Sequence, residues 1–278
     1  SISKKIIRKM ILAGLNVCRI NFSHSNHEEA LKIINTVREL NIELDSHVAI
    51  MGDLRGPKLR IGEVEKNITL IKGEKISVIG GEGLSNNSTI FISYINIYND
   101  IKIGEKILID DGKIMLRVSA VENEKIICDI LQGGVLLSNK GFNLPNTHIS
   151  IPTITHKDSE DVLFCVQNKI EWVALSFVRR GTDIISLKKL IKDVKGDCKI
   201  IAKIEKPEAI KNLNSIVKNS DALMVARGDL GVELPTQKVP VLQKKIVRAA
   251  RRNAKPVIIA TQVMESMIST PAQKIASV

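Results

Sequence analysis

Residues 199–231 read KIIAKIEKPEAIKNLNSIVKNSDALMVARGDLG and contain one full repeat of the pattern that decides the fold. The segments 199–208 and 221–231 each begin with an apolar, β-rich run and finish on charged residues. The segment near 207–218, between them, has a helical pattern. Strands this apolar are typical of parallel sheets that are buried on both faces. The stretch therefore predicts an α/β fold whose polar side chains gather at the carboxyl ends of the strands, where sites assemble in such folds.

The same pattern recurs along most of the chain. Further apolar runs that finish on polar residues lie at 16–24, 47–56, 171–180 and 256–266. Helical patterns separate the runs, at 3–14, 26–41, 158–168, 182–195 and 236–253. Together with the opening stretch, these runs predict a parallel sheet with crossover helices.

Residues 57–150 break this pattern. They contain short alternating segments, such as NITLIKGEKISVIG, separated by Gly and Asn-Asn. Alternation of apolar and polar residues indicates half-buried strands, so we expect an all-β insertion after the second strand. An insertion at the functional edge of a barrel is the usual position for a lid. The expected domains are residues 1–56 and 151–278, as two parts of one barrel, and residues 57–150 as the lid.

Composition indicates a globular protein with an excess of positive charge. The chain has 278 residues, a formal net charge of +11 and only 3% aromatic residues. The positive balance suggests an anionic partner such as phosphate, nucleotide or nucleic acid, but ordinary surface charge is the stronger interpretation. So few aromatic residues also argue against a stacking surface for nucleic acid. The lysines are scattered, and the one tight basic cluster, Arg248, Arg251 and Arg252, is of a kind that helix faces often carry.

Cysteine spacing and hydropathy predict a cytoplasmic protein. The cysteines lie far apart without CxxC spacing, at Cys18, Cys128, Cys165 and Cys198. This spacing predicts free thiols in a reducing compartment. No apolar stretch approaches the roughly 20 residues that span a bilayer, so no membrane partner is expected.

Lys203 and Glu205 are two residues apart in a predicted strand, so their side chains point to the same face. One interpretation is a structural ion pair. The other is a carboxylate ligand for a hard cation beside a lysine that balances developing negative charge, with Asp229 as the second carboxylate. Mg²⁺ prefers one or two carboxylates plus substrate oxygens. Charged residues at the ends of buried strands are costly without a ligand, which favours the second interpretation.

Several blocks, in their order along the chain, resemble the pyruvate kinase family. They are NFSHS (21–25), GDLRGPKLR (52–60), IDDG (109–112), SNKGFNLP (138–145), LSFVRR (175–180), KIEKPEAI (203–210), DALMVARGDLGVELP (221–235) and ATQVMESM (260–267). The resemblance covers essentially the whole chain. It implies a (β/α)8 TIM-type barrel, incomplete in this chain, with an inserted β lid. It also implies glycolytic phosphoryl transfer from phosphoenolpyruvate to ADP, giving pyruvate and ATP.

The resemblance implies roles for residues around the substrate. Arg19 would bind the phosphate of phosphoenolpyruvate, since its planar fork suits a phosphoryl group. Lys203 would stabilise the transferring phosphoryl group and the enolate, and Thr261 would belong to the chain that delivers a proton to the enolate carbon. Glu205 and Asp229 would hold Mg²⁺ or Mn²⁺. The backbone N–H groups of Gly228 and Asp229 would bind the substrate carboxylate.

Nucleotide and monovalent-cation sites are also implied. Arg60 and Lys140 would contact the nucleotide phosphates, with a secondary nucleotide role for Asn21 and His24. The family's monovalent-cation site matches Asn21, Ser23, Asp53 and Leu54. Leu54 stands where potassium-dependent members usually have Thr, and Lys58 where they usually have Glu. A fixed ammonium group can supply the charge that K⁺ brings and also repel K⁺, so we expect K⁺ to activate weakly or not at all.

Simpler interpretations are open at some of these positions. Thr261 fits a polar strand end, and His24 fits a helix cap or a surface residue. Asp110 and Asp111 fit a DDG turn, for which no ligand is needed. The pair at 179–180 fits a solvated loop.

Other functions are open as well. One alternative is a barrel lyase that stabilises a pyruvate enolate on Mg²⁺ without a nucleotide. Another is an inactive truncated barrel or a basic nucleic-acid-binding fragment. Relative to the family, we expect the first strand, the eighth strand and the C-terminal domain to be absent from this chain. A homotetramer is expected for a full-length form.

Overall fold

The computed structural model describes residues 3–66 and 68–261. These residues divide into two compact units. The first unit contains the chain up to Pro57, Thr153–Arg227 and the chain from Pro240 onward. The second contains Lys58–Pro152 and Gly228–Val239.

The helices and strands alternate at both ends of the described chain. The first ones are α1 (Lys4–Leu12), β1 (Val17–Asn21), α2 (His27–Glu43) and β2 (Ala49–Asp53). The next are β3 (Thr69–Leu70), β4 (Lys75–Gly80), β5 (Thr89–Ile92), α3 (Ile97–Asp100), β6 (Lys106–Ile109), β7 (Ile114–Glu122), β8 (Lys125–Gln132), β9 (Gly134–Val135) and β10 (Phe142–Asn143). The last are α4 (His156–Gln167), β11 (Trp172–Leu175), α5 (Gly181–Asp193), β12 (Lys199–Ile204), α6 (Pro207–Lys211), α7 (Leu213–Asn219), β13 (Ala222–Ala226), α8 (Arg227–Glu233), a 3₁₀ turn (Thr236–Lys238), α9 (Val239–Arg252) and β14 (Val257–Ala260).

The first unit is built on a parallel sheet. Within the described chain this sheet has six strands in the order β1-β2-β11-β12-β13-β14, which is their order in the sequence. Helices connect consecutive strands, and the sheet curls as part of a barrel. The predicted α/β barrel fold is therefore confirmed. The expectation that every strand is buried on both faces was wrong at the sheet edges, because β1 and β14 are partly exposed there while β13 is fully buried.

Local signals explain where the helices begin and end. Gly14, at φ 98°, ends α1, and its N–H donates to Ile11 O at 2.9 Å. Asn26 caps α2, because its Oδ1 accepts from Glu29 N–H at 2.8 Å. The helical segment predicted near 207–218 is present, as two short helices. Asn212 separates α6 from α7, and its side-chain amide donates a hydrogen bond to Arg179 O at 2.9 Å.

The second unit is centred on a mixed sheet in the order β10-β6-β7-β8-β4-β5. Its pairs are antiparallel except for β4 and β5, which are parallel. An Ile-rich core fills this unit. The all-β prediction was wrong at the short helix α3, which is held because Asp100 accepts from Ser150 N–H at 2.6 Å and from the Tyr94 hydroxyl.

The helices of the described ranges are not of the kind that crosses a bilayer. None of them, in 3–66 or 68–261, combines the length and the apolar character that a membrane span needs.

Candidate active site

Lys203 is the centre of a buried polar cluster at the carboxyl ends of three neighbouring strands. It precedes the last residue of β12, and its side chain is 11% exposed. Its Nζ lies 3.0 Å from Glu205 Oε1, just after β12, and 3.1 Å from Asp53 Oδ1, at the end of β2. It also donates to Ser176 Oγ, just after β11, at 2.7 Å. Since β2, β11 and β12 are neighbours in the sheet, parallel pairing brings these side chains together.

The charges of this cluster compensate one another. Arg19 Nε and Nη2 lie 2.7 and 2.6 Å from Asp53 Oδ2, so this buried carboxylate bridges Arg19 and Lys203. Burial lowers the pKa of Lys203, but the carboxylates of Glu205 and Asp53 outweigh it, and the pKa is raised overall. Lys203 is therefore an ammonium group at neutral pH. The cluster contains two cations, Arg19 and Lys203, and two carboxylates, Asp53 and Glu205. It is therefore formally neutral.

The Glu205 carboxylate is oriented by the loop after β11. It is 1% exposed, and its Oε2 accepts from Phe177 N–H at 2.8 Å. Phe177 has φ 54°, an uncommon left-handed conformation for a bulky residue. Gly56 makes room for this loop, because a Cβ at position 56 would lie 2.9 Å from Phe177 Cδ2. Gly56 itself has φ 65°. The backbone conformation of Phe177 and the absence of a side chain at Gly56 together fix the loop that orients Glu205.

Ser176 is a residue of this cluster that sequence reasoning missed. It is 2% exposed, and its Oγ donates to Leu54 O at 2.6 Å while it accepts from Lys203. It therefore links the ends of β2 and β12 through β11. The sequence did contain a signal for Ser176, because it is a polar residue directly after an apolar run. Glu205 was predicted from the same kind of position.

The residues matched to a monovalent-cation site lie at the ends of β1 and β2 or just after them. Asn21 and Asp53 are register partners at the ends of these strands. Asn21 Oδ1 accepts from Ser23 N–H at 3.1 Å, and His24 is exposed. Leu54 is 1% exposed and donates its N–H to Ala174 O at 3.0 Å. Lys58 belongs to the second unit.

The remaining residues predicted around the substrate follow the next two strands. Gly228 and Asp229 belong to α8, which begins directly after β13, and both are half-buried. Thr261 directly follows β14, is exposed and has φ 66°. Residues 262–267 of the ATQVMESM block lie outside the described residues.

In the second unit, the backbone brings Arg60 next to Lys140. Arg60 forms an antiparallel bridge with Gly141, and its Nη1 donates to Asn139 O at 2.8 Å. Lys140 Nζ lies 3.3 Å from Asp110 Oδ1. Asp110 is in a left-handed turn, as the DDG interpretation predicts, and it also accepts from Lys113 Nζ at 2.8 Å. The pKa of the Asp110 carboxyl group is lowered, mainly by its hydrogen bond with the Lys113 ammonium group and to a smaller extent by Lys140. Burial acts in the opposite direction.

The carboxylate donors of this cluster suit Mg²⁺. Among the residues that the structure describes, no three His, Cys, Asp or Glu side chains come together as a metal-binding group. Mg²⁺ does not need such a group, because it is held through one or two carboxylates plus water and substrate oxygens. The buried Glu205 carboxylate, a hard oxygen donor whose position is fixed by Phe177 and Lys203, fits one such ligand.

Comparison with known proteins gives a consistent result. The family model "Pyruvate kinase, barrel domain" matches residues 1–278. Pyruvate kinases of Staphylococcus aureus strains MRSA252, USA300 and COL are each 41% identical over 272 residues, which is 97% of this chain and 46% of each relative. The chain thus spans about half the length of the curated relatives it matches.

Proposed function

This chain belongs to the pyruvate kinase barrel-domain family, and from that premise we propose that it catalyses phosphoryl transfer from phosphoenolpyruvate to ADP, giving pyruvate and ATP in glycolysis. The observation that carries the proposal is the Lys203 ammonium group, held by Asp53, Glu205 and Ser176 at the ends of three adjacent strands. A fixed and mostly desolvated cation of this kind can stabilise negative charge that develops during a reaction.

Three residues act on the substrate. Arg19 binds the phosphoryl group of phosphoenolpyruvate with the part of its guanidinium that faces away from Asp53, and its side chain is 48% exposed. Lys203 stabilises first the transferring phosphoryl group and then the enolate. Thr261 helps to deliver the proton to the enolate carbon. Its position directly after β14 supports this role, since the carboxyl ends of parallel strands share one edge.

The divalent cation is Mg²⁺ or Mn²⁺, with Glu205 and Asp229 as its protein ligands. When bound, the cation supplies positive charge to the carboxylate and phosphoryl oxygens of the substrate. The N–H groups of Gly228 and Asp229 bind the substrate carboxylate. The second carboxylate is assigned to Asp229 because it follows β13, the strand next to β12.

The nucleotide phosphates bind to Arg60 and Lys140. The antiparallel bridge beside Lys140 supports this assignment, because it holds two cations that are far apart in sequence on adjoining backbone. Asn21 and His24 have a secondary role at the nucleotide. The segment from 57 to 150 acts as a lid, and residues 1–56 and 151–278 form the barrel.

The test of this function is the dependence of pyruvate formation on ADP. In a coupled assay we expect pyruvate only with phosphoenolpyruvate, Mg²⁺ and ADP together, and one ATP for each pyruvate. The Arg60→Ala/Lys140→Ala variant should raise the KM for ADP by about tenfold or more, because two phosphate contacts are lost. Lys113→Ala is the control, since Lys113 also pairs with Asp110 but is 74% exposed.

The outcome separates this function from the alternatives. Pyruvate formation without ADP would instead support a Mg²⁺-dependent lyase that stabilises the same enolate. A folded chain that binds neither phosphoenolpyruvate nor ADP would support an inactive barrel.

Monovalent cations should matter little. With Leu54 and Lys58 in place, we expect kcat to change by less than about twofold when K⁺ replaces Na⁺, because a fixed ammonium group stands in for K⁺. Steady-state rates over a K⁺ titration at constant ionic strength measure this. The Leu54→Thr/Lys58→Glu variant is the matched control and should become K⁺-activated. Strong, saturable activation of the unaltered chain would overturn the expectation.

The cellular setting follows from the cysteines and the family. The four cysteines are free thiols, and burial raises the pKa of Cys128 to about 12, so this thiol is unreactive. Free thiols of this kind suit a reducing compartment, and we place the enzyme in the cytoplasm. A homotetramer is the form we expect for a full-length protein, with no nucleic-acid or membrane partner.

A further inference from the structure

A basic cleft lies between α7 and α9 in the first unit. Its volume is about 510 Å³. The cations that line it all come from α9 and are Lys244, Lys245, Arg248 and Arg252. Asn214 of α7 and Asn253, just after α9, add amide groups, and the cleft lining contains no carboxylate among the described residues. We call this feature the α7–α9 cleft.

The charge of α9 is not balanced within the helix. Its sequence, VPVLQKKIVRAARR, contains five Lys and Arg residues and no Asp or Glu. Lys244, Arg248 and Arg252 are spaced four apart, so they lie on one face, where like charges repel. Burial of Ile246 and Ala250, both 0% exposed, fixes the opposite face against the core. The basic face is therefore held at the cleft by packing.

Some cations on other helices of the same unit pair with carboxylates. Arg8 of α1 pairs with Glu43, and Arg38 of α2 pairs with Glu171 at 2.6 Å. Within the ranges 3–66 and 68–261, none of the four cations of the α7–α9 cleft forms an ion pair. The four cations of the cleft are therefore without an ion pair, among the described residues, at a concave surface.

The helix dipole explains only part of this arrangement. Cations in the last turn of a helix are favoured by the partial negative charge there, and this accounts for Arg252. Lys244 and Lys245 lie two turns earlier, where the dipole has little effect. A solvated helix face would account for the cations themselves, but not for their position along one cleft beside two amide groups.

We propose that the α7–α9 cleft binds a small polyanion that carries two or more linked phosphoryl groups. The cleft volume lies within the range of roughly 300–1,000 Å³ that is usual for small-ligand sites. Arg248 and Arg252 offer planar forks for phosphate oxygens, whereas Lys244 and Lys245 add point charges. A single strand of nucleic acid fits less well, because the described residues of the lining include no aromatic side chain on which a base could stack.

This site is independent of the proposed enzymatic function. It shares no residue with the cluster around Lys203 or with the predicted nucleotide contacts Arg60 and Lys140. Loss of binding at the cleft and loss of phosphoryl transfer can therefore be measured separately.

The test uses inorganic tripolyphosphate and isothermal titration calorimetry on the full chain. Wild type should bind one tripolyphosphate at the cleft, and the Lys244→Gln/Arg248→Gln variant should bind it at least about tenfold more weakly. The control is Lys211→Gln/Lys218→Gln, which removes two exposed charges from α6 and α7 outside the lining and should change the affinity less than about twofold. Equal affinities in the two variants would overturn the proposal.

A second measurement needs no variant. Tripolyphosphate should protect Lys244 and Lys245 of the unaltered chain from an amine-reactive label, detected by mass spectrometry, but should leave Lys211 and Lys218 unprotected. ATP is a second probe that distinguishes a nucleotide ligand from free polyphosphate. If both compounds protect Lys244 and Lys245 at the same concentration, the cleft recognises the phosphate chain alone. Uniform labelling with either probe, or protection only by a single-stranded oligonucleotide, would refute the site.

Discussion

Replacement of Lys203 by Met is expected to lower kcat for pyruvate formation by about 10³-fold or more. Methionine has a similar length but carries no charge, so the developing phosphoryl and enolate charges lose their fixed cation. The substitution also leaves Asp53 and Glu205, each 1% exposed, without a shared ammonium group. Removing one partner of a buried ion pair costs about 3–5 kcal/mol in the free energy of unfolding. A coupled assay and urea unfolding of the same preparation measure the two effects.

The control for this prediction is Lys199→Met. Lys199 is in the same strand, β12, but at its exposed amino end, opposite to the cluster. We expect its kcat to stay within about twofold of wild type, because it stabilises no charge at the site. Equal kcat values for Lys203→Met and wild type would refute the electrostatic role of Lys203. A stability loss with kcat retained would leave Lys203 as a structural ion-pair partner only.

Replacement of Glu205 by Gln is expected to raise the Mg²⁺ concentration for half-maximal activity by on the order of 100-fold. Glutamine keeps the shape and can still accept from Phe177 N–H, so the loop after β11 stays in place. It loses the negative charge that a hard cation needs from its ligand. Direct titration with Mn²⁺, followed by electron paramagnetic resonance, measures the same loss of affinity without reference to activity.

Glu208→Gln is the matched control for the metal prediction. Glu208 lies three residues further on, in the first turn of α6, and is half-buried. Its substitution removes the same charge close to the site, so the control separates a ligand effect from a general loss of negative potential. A Mn²⁺ affinity that falls equally in the two variants, or in neither, would remove Glu205 from the metal site.

Much of the fold was predictable because its signals are local. The six apolar runs with helices between them gave the parallel α/β sheet, and Gly14 and Asn26 marked helix ends through their own backbone and side-chain bonds. The break at Asn212 was not predicted from periodicity, and Asn212 takes part in a contact that periodicity does not contain, a hydrogen bond to Arg179, 33 residues earlier. The short helix α3 was missed for the same reason, because Ser150 helps to hold it from 50 residues away.

The candidate site divides in the same way. The spacing of Lys203 and Glu205 placed both side chains on one face of a strand, and their 3.0 Å contact agrees with that prediction. The contacts with Ser176 and Asp53 were not predicted, because they require knowledge that β11 and β2 are the next two strands of the sheet.

By itself, the sequence determined which segments form strands and helices, which residues follow each strand, and that Lys203 and Glu205 share a face. Those properties depend on periodicity within a few residues. Only the tertiary structure decided that Arg19, Asp53, Lys203 and Glu205 form one neutral cluster. It also decided that cations of α9 line a cleft in which the described residues contribute no carboxylate. The physical reason is that charge compensation acts through space, between strands and helices whose order in the fold the local pattern does not contain.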